Sequence, residues 1–234
     1  MSIGWFFFKF VKKFYFQEII IKNFQELIQI YKSIKDKIIS RLLEFKENWE
    51  KGSEADIFAE LVFCLLTPQS KAKVCWEVVK EIKKKLLLFS NDKEKLSGTI
   101  NPVRFKNKKA EYIINAKRIF YINNSFSIKN VIKSFSDNMS LRKFCVEKIK
   151  GIGFKEASHF LRNIGFGQNI AILDRHILKN LKLYNVIDVI PDNLSEKKYL
   201  EIENKMRGFS KKIGIDIEHL DFVLWYKEAG EVFK

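Results

Sequence analysis

The spacing of the apolar residues is the feature that most constrains the fold of this chain. Ile34, Ile38, Leu42 and Phe45 follow one another at steps of three and four, as on one face of a helix. Residues 57–66 are apolar nearly all round, which is typical of a buried helix. No run shows the sustained alternation of a strand. The pattern predicts an all-α protein.

Caps and breakers predict where several helices begin and end. Proline disfavours helix in the residue before it, serine is a preferred cap, and glycine often ends a helix. The predicted boundaries are an end at Thr67-Pro68, a helix from a Ser140 cap to Lys150, a helix from Ser195 to near Gly208, and a stop at Gly230.

Length and charge narrow the organisation and the partners. With 234 residues the chain can form one compact unit or two small ones that share a cleft. Its net charge of +15 and isoelectric point near 9.6 favour a polyphosphate such as DNA as partner. An anionic membrane surface and a lysine-rich composition without functional meaning are the alternatives.

The N-terminal segment GWFFFKFVKKFYFQEIIIK is unusually aromatic. Lysines interrupt its apolar run and no small-residue cleavage site follows, so it does not resemble a signal peptide. It is predicted to be a packing extension of the first helix, with an interfacial amphipathic helix as the alternative. No later stretch reaches the roughly 18 apolar residues of a membrane span, so we expect a soluble protein without a membrane partner.

The chain contains three cysteines, Cys64, Cys75 and Cys145. They form no CxxC motif and cannot complete a four-thiolate cluster, so no metal site is expected. We predict that the cysteines are small buried thiols. The odd count and the lack of a secretion signal favour a reducing, intracellular setting.

The segment KGIGFKEASHFLRNIGFGQNIAILDRHIL, from Lys150 to Leu178, holds the most distinctive motif. Gly151 and Gly153 flank Ile152 between two helical patterns. A Gly-x-Gly turn lets the backbone bend tightly and approach another molecule closely. The amides that open the second helix then point outward and can hold a phosphate with the help of the helix dipole. The turn therefore predicts a contact to a nucleic-acid backbone.

Lys155 falls in the first turn of the helix after this hairpin. The partial positive charge at a helix N-terminus disfavours an ammonium group, and so does removal from water. A lysine held partly neutral is a nucleophile for a carbon centre, whereas most lysines are simply solvated. The residues alone leave both interpretations open.

Asp174 lies nineteen residues beyond Lys155, just before Ile177, Leu178 and Leu181, which are spaced as a helix face. Aspartate is a preferred N-cap, which is the plain structural interpretation. A carboxylate held by helix amides stays ionised. Facing a cleft, it could also stabilise a cationic sugar in a transition state.

Taken together, KGIGFKEASHFLRNIGF followed by AILDRHIL resembles the helix-hairpin-helix DNA glycosylases. Within them it is similar to the archaeal and thermophile-type 8-oxoguanine DNA glycosylase/AP lyases, the second Ogg class. The resemblance runs from about Gln17 to Lys234. It leaves residues 1–16 as an N-terminal extension and 17–234 as the glycosylase/lyase domain, with the hairpin at about 140–165. It implies an all-α fold with two helical subdomains that flank a DNA-binding cleft.

The resemblance implies roles for individual residues. The family's nucleophilic lysine maps to Lys155 and its essential aspartate to Asp174, while Gly151, Ile152 and Gly153 map to the hairpin that holds the DNA backbone.

The resemblance also implies which residues recognise the base. The family ends in a lysine whose terminal carboxylate takes part in reading the base, here Lys234. An aromatic residue of the last helix and a phenylalanine before a KKAEY-like segment line the base pocket, here Trp225 and Phe105. Core packing is the alternative for both rings. The TPQ turn gives Gln69 the role of filling the gap left by the flipped base.

The resemblance thus implies a bifunctional DNA repair enzyme that acts as a monomer on double-stranded DNA containing 8-oxoguanine. It would excise the base by lysine attack at C1′ and cut the strand by β-elimination, without a cofactor, in the prokaryotic cytoplasm at the nucleoid. One alternative is an endonuclease III-like enzyme for oxidised pyrimidines, a branch that usually carries a C-terminal four-cysteine cluster; no cysteine follows Cys145 here. The other is a non-catalytic DNA-binding module, against which the pair of Lys155 and Asp174 argues.

Overall fold

The computed structural model describes the backbone of residues 3–122 and 124–234 and the side chains from residue 23 onward, residue 123 excepted. The side chains of the predicted N-terminal extension, residues 1–16, lie outside the described residues. The described chain is helical almost throughout, which confirms the all-α prediction. Its helices are α1 (Ile3–Lys51), α2 (Glu54–Leu66), α3 (Ala72–Lys84), α4 (Lys93–Thr99), α5 (Lys106–Ile119), α6 (Ile128–Lys133), α7 (Asn138–Lys148), α8 (Phe154–Asn163), α9 (Arg175–Leu183), α10 (Glu196–Ile213) and α11 (Ile217–Ala229).

A short ribbon interrupts the helices between α5 and α6. Strands β1 (Tyr121–Ile122) and β2 (Ser125–Phe126) pair antiparallel, with Tyr121 opposite Phe126. Asn124 turns the chain with a φ of 62°. Two residues per strand are too few to show alternation, so the sequence pattern did not predict this ribbon.

The helices form two compact units, as predicted. The terminal unit comprises Met1–Ile39 and Leu173–Val232, and the central unit comprises Ser40–Ile172 and Phe233–Lys234. Helix α1 contributes residues to both units.

Helix α2 is the centre of the central unit. It packs against α3, α5, α6 and α8, and its residues from Ile57 to Leu66 are all buried. This confirms the predicted buried helix. Full burial of one leucine, isoleucine or phenylalanine side chain stabilises a fold by about 1.5–3 kcal/mol. The helix ends where it was predicted to end, because the Thr67 amide makes the last bond of the helix, to Phe63 O, before Pro68.

The three cysteines belong to this core. Cys64, Cys75 and Cys145 are free and buried, as predicted. Burial raises the pKa of the Cys75 thiol to about 11 and that of Cys145 to about 12. They therefore act as small apolar side chains.

The terminal unit has a separate core. Helices α9 and α10 both pack against α11. The rings of Phe24, Tyr184 and Phe209 lie within 5.8 Å of one another, centroid to centroid. Tyr31 of α1 hydrogen-bonds His219 of α11 through its hydroxyl, at 3.0 Å from Nδ1.

Both predicted boundaries of α7 were wrong. Asp137, not Ser140, caps α7, because its Oδ1 accepts hydrogen bonds from the amides of Met139 and Ser140 at 2.9 Å. Helix α7 ends at Lys148 rather than at Lys150.

Helix α10 begins at the predicted Ser195 cap but continues past Gly208. It ends at Ile213, where Gly214 takes the left-handed conformation with a φ of 69°. A glycine inside a helix costs only about 1 kcal/mol, which tertiary packing can offset. Gly230 stops α11 as predicted, with a φ of 74°.

No helix in the described part of the chain is long and apolar enough to cross a membrane.

The start of α2 generates a prediction about stability and pH. Ser53 and Asp56 form a capping box, and Lys83 lies 2.6 Å from Asp56. Burial opposes ionisation of Asp56, but hydrogen bonds from Lys83 and Ser53 outweigh it and lower its pKa to about 2. Because the folded-state pKa is lowered, the stabilisation is present above the ordinary value of 3.8 and is lost as pH falls towards 2.

We expect Asp56→Asn to lower the free energy of unfolding by about 1 kcal/mol at neutral pH. The difference from wild type should shrink between pH 4 and 2, as measured by denaturant titration at several pH values. Lys83→Met removes the ion pair but keeps the capping box, so it should lower the free energy of unfolding by less than Asp56→Asn does. A difference that does not change with pH would contradict this role of Asp56.

Candidate active site

The hairpin between α7 and α8 is built around one glycine. Gly151 has a φ of 93°, which favours glycine. A Cβ atom there would lie 2.3 Å from Cδ2 of Tyr112, a ring on α5. The turn therefore needs glycine at this position both for its backbone conformation and for its contact with α5.

Ile152 and Gly153 complete the turn. The Ile152 side chain is buried and its amide bonds Ile149 O at 3.1 Å, which anchors the loop to the core. Gly153 is the N-cap of α8, and no side chain caps this helix end. Five helices begin with a Ser or Asp side chain that accepts an amide hydrogen bond, whereas α3, α5, α6, α8 and α11 have no such cap. The start of α8 is thus suited to hold an external anion.

Lys155 lies in the first turn of α8, as predicted. Its side chain is 24% exposed, and Nζ lies 3.4 Å from Oε1 of Glu156. It is close enough to lower the pKa of Lys109, although burial of Lys109 is the larger cause. The amine therefore lies at the edge of the core and remains accessible.

Lys109, a buried lysine of α5, holds the turn that follows α2. Lys109 donates to the carbonyl oxygens of Leu66 and Pro68, both at 2.7 Å, and to Ser70 Oγ at 3.3 Å. Gln69, between these acceptors, has a φ of 55°. Such a conformation costs a residue other than glycine about 1–3 kcal/mol unless its surroundings impose it. The Lys109 ammonium supplies that constraint.

A pocket of about 350 Å³ in the central unit brings several predicted residues together. Phe105 has a φ of 60° at the start of α5 and is 58% exposed, so core packing was the wrong alternative for this ring. The pocket is lined by Leu65, Pro68, Gln69, Phe105, Lys108, Lys109, Tyr112 and Gly151. Gln69, Phe105 and the hairpin residue Gly151, to which the family resemblance assigns separate roles, thus adjoin one cavity.

The C-terminal residue is held in the same unit. The Lys234 side chain is only 9% exposed, and its Nζ pairs with Oε1 of Glu60. That Nζ also lies 3.6 Å from the centroid of the Trp76 ring. Burial lowers the pKa of Lys234, and Glu60 opposes the shift.

In the terminal unit, Asp174 caps α9 as predicted. Its Oδ1 accepts hydrogen bonds from the amides of His176 at 2.8 Å and Ile177 at 2.9 Å. No residue in the described part of the chain donates a hydrogen bond to Oδ2. One oxygen therefore fixes the carboxylate, and the other is left to interact with a bound molecule.

His176 connects Trp225 to Asp174: its amide donates to Asp174 and its ring contacts the ring of Trp225. The two rings meet edge to face at 5.2 Å between centroids, and His176 Nδ1 lies 3.6 Å from Glu228 Oε2. Trp225 is half-buried, and its Nε1 is buried without a hydrogen-bond partner among the described residues. An unsatisfied buried donor is costly, so this N–H can take an acceptor from a bound molecule or a water molecule.

Sequence reasoning missed the residues that support the predicted ones. Lys109 and Tyr112 fix the turn and the hairpin, Glu60 and Trp76 hold Lys234, and His176 adjoins Asp174 and Trp225. Only Glu60 carried a signal in the sequence, as the single charge in a stretch that is otherwise apolar on all sides. A carboxylate there requires a buried partner.

Comparisons with known proteins give a consistent result. The family model of the 8-oxoguanine DNA glycosylases, Ogg-HhH, matches residues 38–215. The chain is 45% identical over 211 residues to an 8-oxoguanine DNA glycosylase/AP lyase of Fusobacterium nucleatum, covering 90% of this chain and 97% of the relative. It is 42% identical over 217 residues to that of Methanocaldococcus jannaschii, covering 92% of this chain and 99% of the relative.

Solved structures agree with the sequence relatives. The 8-oxoguanine DNA glycosylase of Thermotoga maritima superposes with a TM-score of 0.82 at 35% identity, over 92% of this chain and 100% of that one. The Methanocaldococcus jannaschii 8-oxoguanine glycosylase/lyase in complex with a 15mer DNA containing 8-oxoguanine superposes with a TM-score of 0.82 at 38% identity. The match covers 91% of this chain and 100% of that one. By the family model, the identity and the fold, this chain belongs to the 8-oxoguanine DNA glycosylases of the Ogg-HhH family.

Proposed function

We propose that this protein removes 8-oxoguanine from double-stranded DNA and cuts the strand at the abasic site that results. The observation that carries the proposal is Lys155, an accessible amine in the first turn of the helix that follows the uncapped hairpin. Relatives with names that join glycosylase and AP lyase activity support it. A glycosylase that used water as nucleophile would need no such amine.

Binding to DNA begins with the backbone. The amides at the start of α8 would hold a phosphate, and the net charge of +15 would supply sequence-independent attraction. Phosphate contacts fix the position of a protein on the duplex. The hairpin therefore sets which nucleotide Lys155 reaches. We propose that residues 17–234 carry this activity and that the protein acts as a monomer at the nucleoid.

The reacting nucleotide must leave the base stack, because C1′ is out of reach inside a duplex. Extrusion costs a few kcal/mol. Gln69, at the tip of the turn held by Lys109, would occupy the gap left in the stack. The exposed ring of Phe105 and the half-buried ring of Trp225 would each offer a stacking surface to the flipped purine.

Base identity would be read at the C-terminus. A guanine-type base presents N1–H and N2–H₂ on its Watson–Crick edge, and both donate to a carboxylate. The α-carboxylate of Lys234 would accept them, whereas the lone pair at N1 of adenine would repel it. The buried side chain of Lys234 is consistent with a fixed chain end.

The reaction would use the Lys155 amine and the Asp174 carboxylate. The lone pair of Lys155 Nζ would attack C1′, the bond from C1′ to N9 would break, and the base would leave with that electron pair and take up a proton released by the amine. Oδ2 of Asp174 would stabilise the positive charge that develops on the sugar. The bond from C1′ to the ring oxygen O4′ would then break as the nitrogen lone pair forms the Schiff base between Nζ and C1′, and O4′ would take up a proton from solvent. Loss of a proton from C2′ breaks the bond from C3′ to oxygen and cuts the strand.

The first prediction about the reaction concerns the nucleophile. Lys155→Gln removes the amine and keeps a similar stem, so no covalent adduct should form when the protein is mixed with 8-oxoguanine duplex and borohydride. Duplex binding should persist, since the hairpin amides remain. Lys150→Gln is the matched control, because Lys150 is exposed beside the same turn. An adduct with Lys155→Gln at the wild-type level would exclude Lys155 as the nucleophile.

The second prediction separates the charge of Asp174 from its capping role. Asparagine also caps helices well, so Asp174→Asn should keep the fold. Loss of the carboxylate should slow single-turnover excision by about 100-fold or more. Asp137→Asn changes a cap with the same two-amide geometry in α7 and should leave the excision rate unchanged. Equal rates for both variants would refute the electrostatic role of Asp174.

The third prediction tests the hairpin. Gly151→Ala forces a left-handed alanine against Tyr112, so the free energy of unfolding should fall by about 1–3 kcal/mol and DNA affinity should drop. Gly98→Ala has no neighbour within 4 Å of the added Cβ and should stabilise α4 by about 0.5–1 kcal/mol without effect on DNA binding. Thermal unfolding and DNA titration, done well below the melting temperature, check both. Unchanged affinity for Gly151→Ala would argue against a backbone contact at the turn.

A further inference from the structure

Lys155 has a carboxylate as its immediate neighbour. Oε1 of Glu156 lies 3.4 Å from Nζ of Lys155, and the side chains are 16% and 24% exposed, respectively. Both residues belong to the first turn of α8. Among the described residues, Lys155 is the one that forms an ion pair with Glu156. The amine that is proposed to attack the sugar therefore has a base beside it.

The Glu156 carboxylate is not fixed by hydrogen bonds. No described residue donates a hydrogen bond to either of its oxygens. Oδ1 of Asp174, in contrast, accepts two amide hydrogen bonds, which hold that carboxylate in place. The Glu156 side chain can therefore turn towards a bound molecule, and its lone pairs are available to a proton.

The position of Glu156 is unfavourable for DNA binding. A Cβ added at Gly153 would lie 3.3 Å from Oε2, so the carboxylate reaches back to the hairpin. It stabilises the first turn of α8 through the helix dipole, but it also repels a phosphate held by the hairpin amides. In a chain of net charge +15 that binds DNA, this repulsion indicates a role in the reaction rather than in binding.

We propose that Glu156 is the base that removes the C2′ proton after the Schiff base has formed. C2′ is bonded to C1′, and C1′ is then bonded to Nζ of Lys155, so the C2′ hydrogens lie close to the nitrogen that Glu156 adjoins. A general base acts from about 2.6–3.2 Å, and such contacts are often longer before the substrate binds. The inference rests on the proposed function and adds the proton acceptor of the strand-cutting step.

The transfer uses the iminium group of the Schiff base. Glu156 takes the C2′ proton, and the electron pair of the C2′–H bond moves towards the positive nitrogen, which gives an enamine. When the nitrogen returns the electrons, a double bond forms between C2′ and C3′ and the bond from C3′ to oxygen breaks. The phosphate leaves with the electron pair of that bond. Glu156, now a neutral acid, passes its proton to solvent, to which it is partly exposed.

The test compares base excision with strand cleavage by the full chain in single-turnover reactions. Excision is measured on an 8-oxoguanine duplex after alkali has cut every abasic site. Cleavage is measured on a duplex with a preformed abasic site, which contains no released base that could accept the proton. Glu156→Gln keeps the shape of the side chain but cannot take up the proton. Cleavage should therefore slow by about 100-fold or more, while excision stays near the wild-type rate. Borohydride should trap more Schiff base than with wild type.

Glu147→Gln is the matched control. Glu147 lies on α7, the helix that enters the hairpin, and its Oε1 is 3.8 Å from Nζ of Lys143. Each variant loses one negative charge, so neither should bind DNA more weakly than wild type. Only Glu156→Gln should lose strand cleavage. Glu156→Asp keeps a carboxylate and should retain part of the cleavage rate.

Two further measurements separate a base from a structural group, and they remain available if Glu156→Gln does not fold. Formate, a small carboxylate, should restore cleavage by Glu156→Ala in proportion to its concentration, and it should have no effect on Glu147→Ala. Deuterium at C2′ should slow cleavage by Glu156→Asp, because removal of that proton limits the rate of the weakened enzyme.

Cleavage at the wild-type rate by a folded Glu156→Gln variant would overturn the inference. Equal loss of excision and cleavage would place Glu156 in the first attack by Lys155 and would overturn it as well. The same holds for cleavage that shows neither rescue by formate nor a deuterium effect. A wild-type protein that forms no borohydride adduct with the 8-oxoguanine duplex would instead contradict the proposed function, so the two failures are distinct.

Discussion

Helix α2 is buried on every side from Ile57 to Leu66, so the helices around it must supply apolar surface in all directions. That requirement draws α3, α5, α6 and α8 together, and with them the turn after α2 and the hairpin before α8. The single charge in the buried stretch, Glu60, adds a second demand, because a carboxylate in such a place needs a cation. Lys234, the last residue of the chain, satisfies it. One helix therefore organises the core and also fixes the C-terminus.

Lys109 and Lys234 are two of the lysines of this strongly basic chain that serve inside the protein rather than on its surface. Lys109 holds the carbonyl groups of the turn that carries Gln69, and Lys234 completes the pair with Glu60. Burial lowers the pKa of both ammonium groups. A flexible stem and three donors let a lysine bridge several acceptors that lie far apart in sequence. The proposed base-reading elements thus stand on rigid internal supports, which reduces the cost of ordering them when DNA binds.

Local chemistry predicted much of the fold. The helical spacing, the buried stretch of α2, the Ser195 cap and the stop at Gly230 all follow from interactions within a few residues, which sequence displays directly. The errors arose where two local signals competed. Asp137 and Ser140 are both good caps, and only the path of the preceding chain selects Asp137. Gly208 and Gly214 can both end a helix, and tertiary packing lets α10 continue beyond Gly208. The ribbon at Tyr121–Phe126 was too short to show a period.

The sequence by itself determined the helical class, the hairpin with its glycines, and the positions of Lys155 and Asp174 at the starts of two helices, because these depend on neighbours along the chain. It could name Phe105 and Gln69 only through a family resemblance. The tertiary structure decided that both adjoin one pocket with Gly151, that Phe105 is exposed, and that Lys109 holds the turn beside it. It also joined Glu60 to Lys234 across 174 residues. Contacts of that range depend on how helices pack against one another, and a buried charge shows only that a partner exists, since many distant residues could provide it.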